Sequence, residues 1–401
     1  MTRSAETETG PALEAVLREK MHVLERAGLR RALAPLHGRS GATILDGDRR
    51  LVDFASNDYL GLAAEPRVAE AAAEFLSKEG TGAGAARLIS GHHSAHAELE
   101  AALARYAGTE AALLFPNGYM ANLGAIPALV GTGDAIFSDE RNHASLIDGC
   151  RLSRAEVHTV PHADLASLDR ILSETAGRFR RRLIVVEGIY SMDGDLYPLS
   201  ALPSLARRHG AWTYVDDAHG LGVLGPNGGG AVELAGVAGD VDAWVGTLGK
   251  AFGAAGAFVL GTRTLVDFLC NRARTFVYTT GSPPAIAAAA LRAIEIARAE
   301  PERRERLRAN ARQIREGLSG LGWRPEGPGD GHIIPVVLGS SEATMAAGAR
   351  LRAAGFLVGA VRPPTVPRGT ARLRITVSAA HEEAQIDGLL AALAPALPPR
   401  P

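Results

Sequence analysis

Between Arg67 and Val259 of this chain, short and continuously apolar runs alternate with stretches whose apolar residues recur every three to four positions. The runs are AALLF (111–115), DAIFS (134–138), RLIVVE (182–187), AWTYVD (211–216) and AWVGT (243–247). They are too short for buried helices, and most do not alternate apolar with polar. Uninterrupted runs of that length suit strands covered on both faces. Segments with helical spacing, such as HAELEAALARYAG and LSALPSLARRHG, separate them. The pattern therefore predicts an α/β fold: a mostly parallel central sheet with helices on both faces, in a large domain over residues 56–290.

The two ends read differently. Residues 1–10 are polar, and disorder is expected there. PALEAVLREKMHVLERAGLRRAL (11–33) has amphipathic helical spacing, and GATILDGDRRLVDFAS (41–56) predicts a hairpin turning near Asp46-Gly47. These form an N-terminal segment, 1–55. Residues 285–322 predict one or two long helices broken around Pro301. IIPVVLG (333–339) and ARLRITVS (371–378) are strand-like and enclose a helical EATMAAGARLRAAG (342–355). A small C-terminal α+β domain over 291–401 follows.

At 401 residues the chain is long enough for two domains, and its composition is that of a soluble globular protein. A net charge of −1 excludes the electrostatic footprint of a nucleic-acid or membrane-surface partner. Cys150 and Cys270 match no metal or disulfide spacing and are expected to be buried thiols. The first residues have no apolar signal core, and AIAAAALRAI from Ala285 is too short to span a bilayer. A cytoplasmic protein is expected.

In open α/β sheets ligands sit outside the carboxyl ends of the strands, and polar residues gather there in this sequence. AALLF leads into Gly118 and Tyr119 at a helix start, whose amides suit a phosphate. DAIFS leads to His143, and RLIVVE ends in Glu187 with Ser191 beyond. AWTYV delivers Asp216 and His219, and AWVGT delivers Thr247 and Lys250. An anion for a ring nitrogen, a donor for a phenolate oxygen and an amine for an aldehyde are what pyridoxal 5'-phosphate (PLP) requires. Each residue alone has a structural explanation; five strand ends supplying complementary groups do not.

Rival motifs fail on context. Gly220, Gly222 and Gly225 match G-x-G-x-x-G, but they lead into Pro226–Gly230, which is not expected to begin a helix. Trp244 stands where a Walker A loop needs its first glycine. His92, His93 and His96 have no nearby ligand partners for a metal.

The motifs FASNDYLGL (54–62), GAGAARLISG (82–91), HAELE (96–100), FPNGYMAN (115–122), SDERNHASLIDG (138–149), EGIYSMDGD (187–195), DDAHGLGVLG (216–225) and GTLGKAFG (246–253) resemble the α-oxoamine synthases, fold type I PLP enzymes. RPPTVPRGTARLRITVSAAH (362–381) narrows the resemblance toward members that join L-alanine to a pimeloyl thioester, on coenzyme A or an acyl carrier protein. The resemblance, over residues 12–395, implies a homodimer with shared active sites. It gives Lys250 as the amine that holds the cofactor and moves the Cα proton. Asp216 would hold the ring nitrogen, His219 the phenolate oxygen, and His143 would stack on the ring. Gly118, Tyr119 and Thr247 would hold the phosphate, with Thr279 or Thr280 entering from the second subunit. Asn57 and Arg374 would bind the amino-acid carboxylate, and Arg30 or Arg31 the far end of the acyl chain. Ala86 stands where glycine-specific relatives tend to carry threonine, which favours alanine. Pro116-Asn117 replaces the two serines many relatives have. The same motifs would also suit a glycine C-acetyltransferase, a 5-aminolevulinate synthase, a secondary-metabolite homologue or a non-catalytic PLP-binding paralogue.

Overall fold

A computed structural model describes residues 12–398, so the disorder expected over 1–10 lies outside the described residues. Its strands are β1 (His37–Ser40), β2 (Thr43–Asp46), β3 (Arg49–Phe54), β4 (Ala111–Phe115), β5 (Ala135–Asp139), β6 (Glu156–Val160) and β7 (Arg182–Glu187). They continue with β8 (Trp212–Asp216), β9 (Ala243–Thr247), β10 (Ala257–Gly261), β11 (Ile333–Gly339), β12 (Phe356–Val361) and β13 (Ala371–Thr376).

The central sheet has seven strands in the order β4-β10-β9-β8-β7-β5-β6. Strands β9, β8, β7, β5 and β6 are parallel, and β10 runs antiparallel to β4 and β9. Both faces are covered, which is why these strands read as unbroken apolar runs. On one face Leu113, Ile136, Val185, Tyr214, Val245 and Val259 pack with Ala121, Ala125 and Ile126 of the helix Gly118–Leu129. On the other, Leu114, Phe137, Val186, Val215, Trp244 and Phe258 pack with the helices Ser94–Ala107 and Pro284–Ala299. The mostly parallel α/β fold is as the pattern predicts. Side-chain caps start several helices: Asn117 accepts from the Met120 amide, and Thr262 from that of Leu265.

The second sheet has six strands in the order β1-β2-β3-β12-β13-β11, and both ends of the chain build it. The β2–β3 hairpin turns after Asp46, and β3 then pairs in parallel with β12. The long helical region divides into Pro284–Ala299 and Glu302–Gly320, with Pro301 between them. The first helix ends sooner than the spacing predicts, at Arg26, and buries none of its residues.

Two expectations are corrected. A short helix does begin at Gly230 (Gly230–Leu234), and the Asp217 carboxylate accepts from its Ala231 amide at 2.6 Å. A protein carboxylate thus fills the position a pyrophosphate would take. Gly230 has φ +85°, and a Cβ there would lie 2.0 Å from Asp217 Oδ2, so the turn requires glycine. Cys150 is buried as expected, but Cys270 is half-exposed. The His92–His96 cluster is in structural use. His96 Nδ1 accepts from the His93 amide, its Nε2–H donates to Ser282 O at 2.9 Å, and His92 accepts from Arg87.

Candidate active site

The carboxyl ends of β5, β7, β8 and β9 open into a cavity of about 550 Å³. Asn57, His143, Ser191, His219, Lys250 and Arg374 line it, as do Arg141, Pro364 and Thr365. Six of the residues named from the sequence therefore face one space, and Asp216 stands behind them at the end of β8.

Lys250 follows β9 in a loop held to the rest of the protein by close backbone approach. A Cβ at Gly253 (φ +61°) would lie 2.2 Å from Ala63 N, so glycine is needed for the GKAFG turn to press against the segment after SNDYLGL. Lys250 Nζ lies 2.9 Å from His219 Nε2. Burial lowers its ammonium to about 8, although Asp216 and Glu187 pull the other way. That leaves a fraction of neutral amine near pH 8, as bonding an aldehyde requires.

Asp216 accepts from Asn122 Nδ2 at 2.7 Å and from the Ala218 amide at 3.0 Å. Asn122 also donates to Ser145 Oγ and accepts from the Tyr214 hydroxyl, each at 2.9 Å. Those bonds hold the carboxylate's direction. His143 is lowered by burial, with Asp216 opposing; its Nδ1 lies 2.8 Å from Ser145 Oγ. Its amide donates at 2.5 Å to Glu187, whose carboxyl is raised well above the ordinary range by burial and by Asp216. His219 is driven well below its ordinary value by burial, then by the charges of Lys250 and Arg374, and so is neutral.

Arg374 comes from β13 in the other sheet. Its Nε donates to Ser191 O at 2.6 Å and its Nη1 to Asn57 Oδ1 at 3.2 Å, and the guanidinium also lies against the Tyr59 hydroxyl. Arg31 Nη2 donates to Thr365 Oγ1 at 3.2 Å, at the join between this cavity and an apolar groove lined by Met21, Leu24, Leu29, Pro364 and Val366. Arg30 instead pairs with Glu25 and does not line that groove.

The remaining named residues flank the cavity or lie apart from it. Gly118 and Tyr119 begin their helix beside His143, with the Tyr119 hydroxyl bonded to Asp148. Thr247 Oγ1 is used by its own turn, donating to Gly256 O and accepting from the Gly249 amide. Thr279 and Thr280 do not line the cavity; Thr280 forms a bridge with Ala86.

Sequence reasoning assigned no role to Asn122, Ser145, Tyr214 or Tyr59. Asn122 did leave a trace, since it is a lone amide within the apolar helical run YMANLGAIPAL. Arg141, Pro364 and Thr365 lie within motifs that carry the resemblance but were given no role.

The class I and II aminotransferase model matches residues 49–393. An 8-amino-7-oxononanoate synthase of Anaeromyxobacter dehalogenans is 51% identical over 95% of both chains. That of Methylococcus capsulatus is 53% identical over 88% of this chain and 91% of its own. The chain belongs to the 8-amino-7-oxononanoate synthase family. Solved structures agree on the fold. A serine palmitoyltransferase from S. paucimobilis with bound PLP-myriocin superposes with a TM-score of 0.90 at 33% identity, covering 96% of this chain and 98% of its own. The 8-amino-7-oxononanoate synthase of Francisella tularensis gives 0.75 at 28% identity, covering 86% and 97%. The backbone alone therefore does not separate oxononanoate synthases from palmitoyltransferases; the 51–53% identity to the two oxononanoate synthases above places the chain with the former.

Proposed function

We propose that this chain is a PLP-dependent acyltransferase of biotin biosynthesis. It condenses L-alanine with a pimeloyl thioester to give 8-amino-7-oxononanoate, carbon dioxide and the free thiol. The observation that carries the reading is one cavity joining an amine lowered to about 8, Lys250, to the hydrogen-bonded pair Asn57 and Arg374, which suits a carboxylate. The donor set suits the cofactor: a buried carboxylate held by Asn122, a neutral imidazole and an open helix start at Gly118.

When bound, PLP supplies an aldehyde for the amine and a ring that accepts the electron pair left at Cα. Asp216 would face the ring nitrogen, where an anion favours the protonated form. His143 would lie against the ring, and Gly118, Tyr119, Ser191 and Thr247 would border the cofactor's polar groups. Arg374 and Asn57 hold the amino-acid carboxylate, which fixes which bond at Cα stands ready to break. Lys250, as free amine, takes the Cα proton and can return it. The apolar groove with Arg31 at its entrance receives the acyl chain, whose far carboxylate suits a guanidinium.

A homodimer completes the site in this reading. Leu88 and Ile89 are 50% and 82% exposed, as a subunit interface would explain. The Ala86–Thr280 bridge ties two expectations together: a partner that delivers Thr279 or Thr280 also delivers Ala86. Residues 56–290 would carry the cofactor, with 1–55 and 291–401 closing the substrate side. Among the described residues no helix is long and apolar enough to cross a membrane, in keeping with a cytoplasmic enzyme.

The test is thiol release across L-alanine, glycine and L-serine against pimeloyl-, acetyl-, succinyl- and palmitoyl-CoA. Release confined to L-alanine with pimeloyl-CoA is expected. The fold likeness to serine palmitoyltransferase favours a second reading, and strong release with L-serine and palmitoyl-CoA would replace the first.

A further inference from the structure

A continuous run of hydrogen bonds crosses the site. Lys250 Nζ lies 2.9 Å from His219 Nε2, and His219 Nδ1 lies 2.6 Å from the Tyr59 hydroxyl. That hydroxyl lies 3.0 Å from Asn57 Oδ1, which in turn is 3.2 Å from Arg374 Nη1. A guanidinium donates and never accepts, so Arg374 fixes the Asn57 atom as the amide oxygen. The Tyr59 hydroxyl thus stands between His219 and Asn57, with the Arg374 guanidinium also donating toward its oxygen, and has one proton to give.

We propose that Tyr59 is a positioning residue whose hydroxyl sets the hydrogen-bonding face His219 turns toward Lys250 and the cofactor. This rests on the reading that Lys250 and His219 meet PLP. With the hydroxyl proton on Asn57, Tyr59 presents a lone pair to Nδ1. His219 then carries its hydrogen at Nδ1, and Nε2 is a bare acceptor facing the lysine ammonium. With the hydroxyl turned to Nδ1, the imidazole carries its hydrogen at Nε2 and becomes a donor, as a phenolate oxygen requires. A side chain that both donates and accepts permits either arrangement without leaving a buried nitrogen unpaired. Tyr59 is fully buried, so its hydroxyl is not backed up by bulk water, and His332 packs edge-on to its ring at 4.2 Å. Burial raises the phenol to about 12 and depresses His219, so Tyr59 keeps its proton and the imidazole stays neutral at physiological pH.

The experiment is a visible-absorption pH titration of the PLP-loaded enzyme, following the band of the lysine-bound cofactor with no substrate present. Lys250 is faced by Asp216, Glu187, Arg374 and Asp217, and His219 by Lys250, Arg374, His332 and His143; all are kept in both variants. A hydroxyl donating to Nδ1 sharpens Nε2–H as a donor to the phenolate oxygen, which lowers the band's midpoint. Tyr59→Phe keeps the ring packing and is expected to raise the midpoint by roughly 0.5–1 pH unit. Site-specific 3,5-difluorotyrosine at position 59, a stronger donor of the same shape, is expected to lower it. A purely structural role would move neither, or both the same way, and either result overturns the proposal. Should Tyr59→Phe fail to fold, the sign of the difluorotyrosine shift decides alone. Lys250→Ala is the separate control: a band surviving in it would sink the PLP reading itself, whatever Tyr59 does.

Discussion

The two sheets contribute to the site in opposite ways. In the seven-stranded sheet each residue sits within a few positions of its own strand end: Asp216 closes β8, and Lys250 lies three residues past β9. The sheet's parallel order then gathers these ends without any further instruction. In the six-stranded sheet the partners are remote, since Asn57 and Arg374 meet across 317 positions through the β3–β12–β13 pairing. On the proposed reading, chemistry is concentrated on the first sheet and substrate recognition on the second. A substitution on the first should therefore abolish turnover, and one on the second should weaken selection of the amino acid.

Lys250→Ala gives the largest effect: a fall in thiol release of at least about 10⁴-fold, since amine capture and proton transfer are both lost. Thermal stability should hold or rise, because the buried ammonium, depressed to about 8, is itself costly to bury. A melting temperature several degrees lower would assign Lys250 a structural role as well. The same value gives a pH dependence: PLP capture by the cofactor-free protein should quicken as pH rises through about 8, where the amine loses its proton.

Arg374→Ala tests the second sheet. Losing a charge-assisted grip on a carboxylate should raise KM for L-alanine by roughly 10²-fold, with a smaller change in kcat. Arg374→Lys should recover part of that loss, since it restores charge without the planar fork. A fall confined to kcat would break the division between the sheets.

That division also decides what was legible. Strands β4, β5, β7, β8 and β9 stood out as unbroken apolar runs because both their faces are covered. β6 is an edge strand whose EVHTV is mostly exposed or half-buried, and its mixed residues gave no such run. β10 follows the glycine-rich loop GKAFGAAG and runs directly into the helix capped by Thr262, and β12 contains Gly359 opposite Arg374, both of which obscure a strand pattern. Nothing local in β3 encodes its parallel pairing with β12, three hundred residues away; burial of a shared core selects that partner. The site followed the same rule. Charged residues at strand ends announced themselves, while Asn122, Tyr59 and Ser145 act through neighbours that the sequence does not set beside them.

Between the sheets runs the loop after β7, and His162 braces it. Its Nδ1 lies 3.0 Å from Asp139 and its Nε2 2.5 Å from Asp195, while the neighbouring Asp193 pairs with Arg372 of β13. Burial alone would lower His162, but the two carboxylates outweigh it and raise the imidazolium to about 9. A folded value above the unfolded one near 6.5 means stabilisation fully present below 6.5 and lost as pH rises through about 9. His162→Gln should thus cost on the order of 2 kcal/mol at pH 6 and close to nothing at pH 10. Urea unfolding of both proteins at the two pH values measures this; a difference that does not change with pH would remove the charge from the account.

The smallest effect is expected where the first helix meets the PPT loop. Arg31 reaches Thr365 at the mouth of the apolar groove, whereas Arg30 is turned to Glu25. Arg31 is exposed, so an ion pair it makes with a substrate carboxylate is screened and worth about 0.2–1 kcal/mol. Arg31→Ala should therefore raise KM for the pimeloyl thioester by roughly two- to five-fold, most clearly at low salt, and leave KM for L-alanine unchanged. Arg30→Ala should do neither. Pairing each variant with a thioester that lacks the distal carboxylate separates recognition from a disturbed groove: the Arg31 effect should vanish with that substrate, and a groove defect should persist.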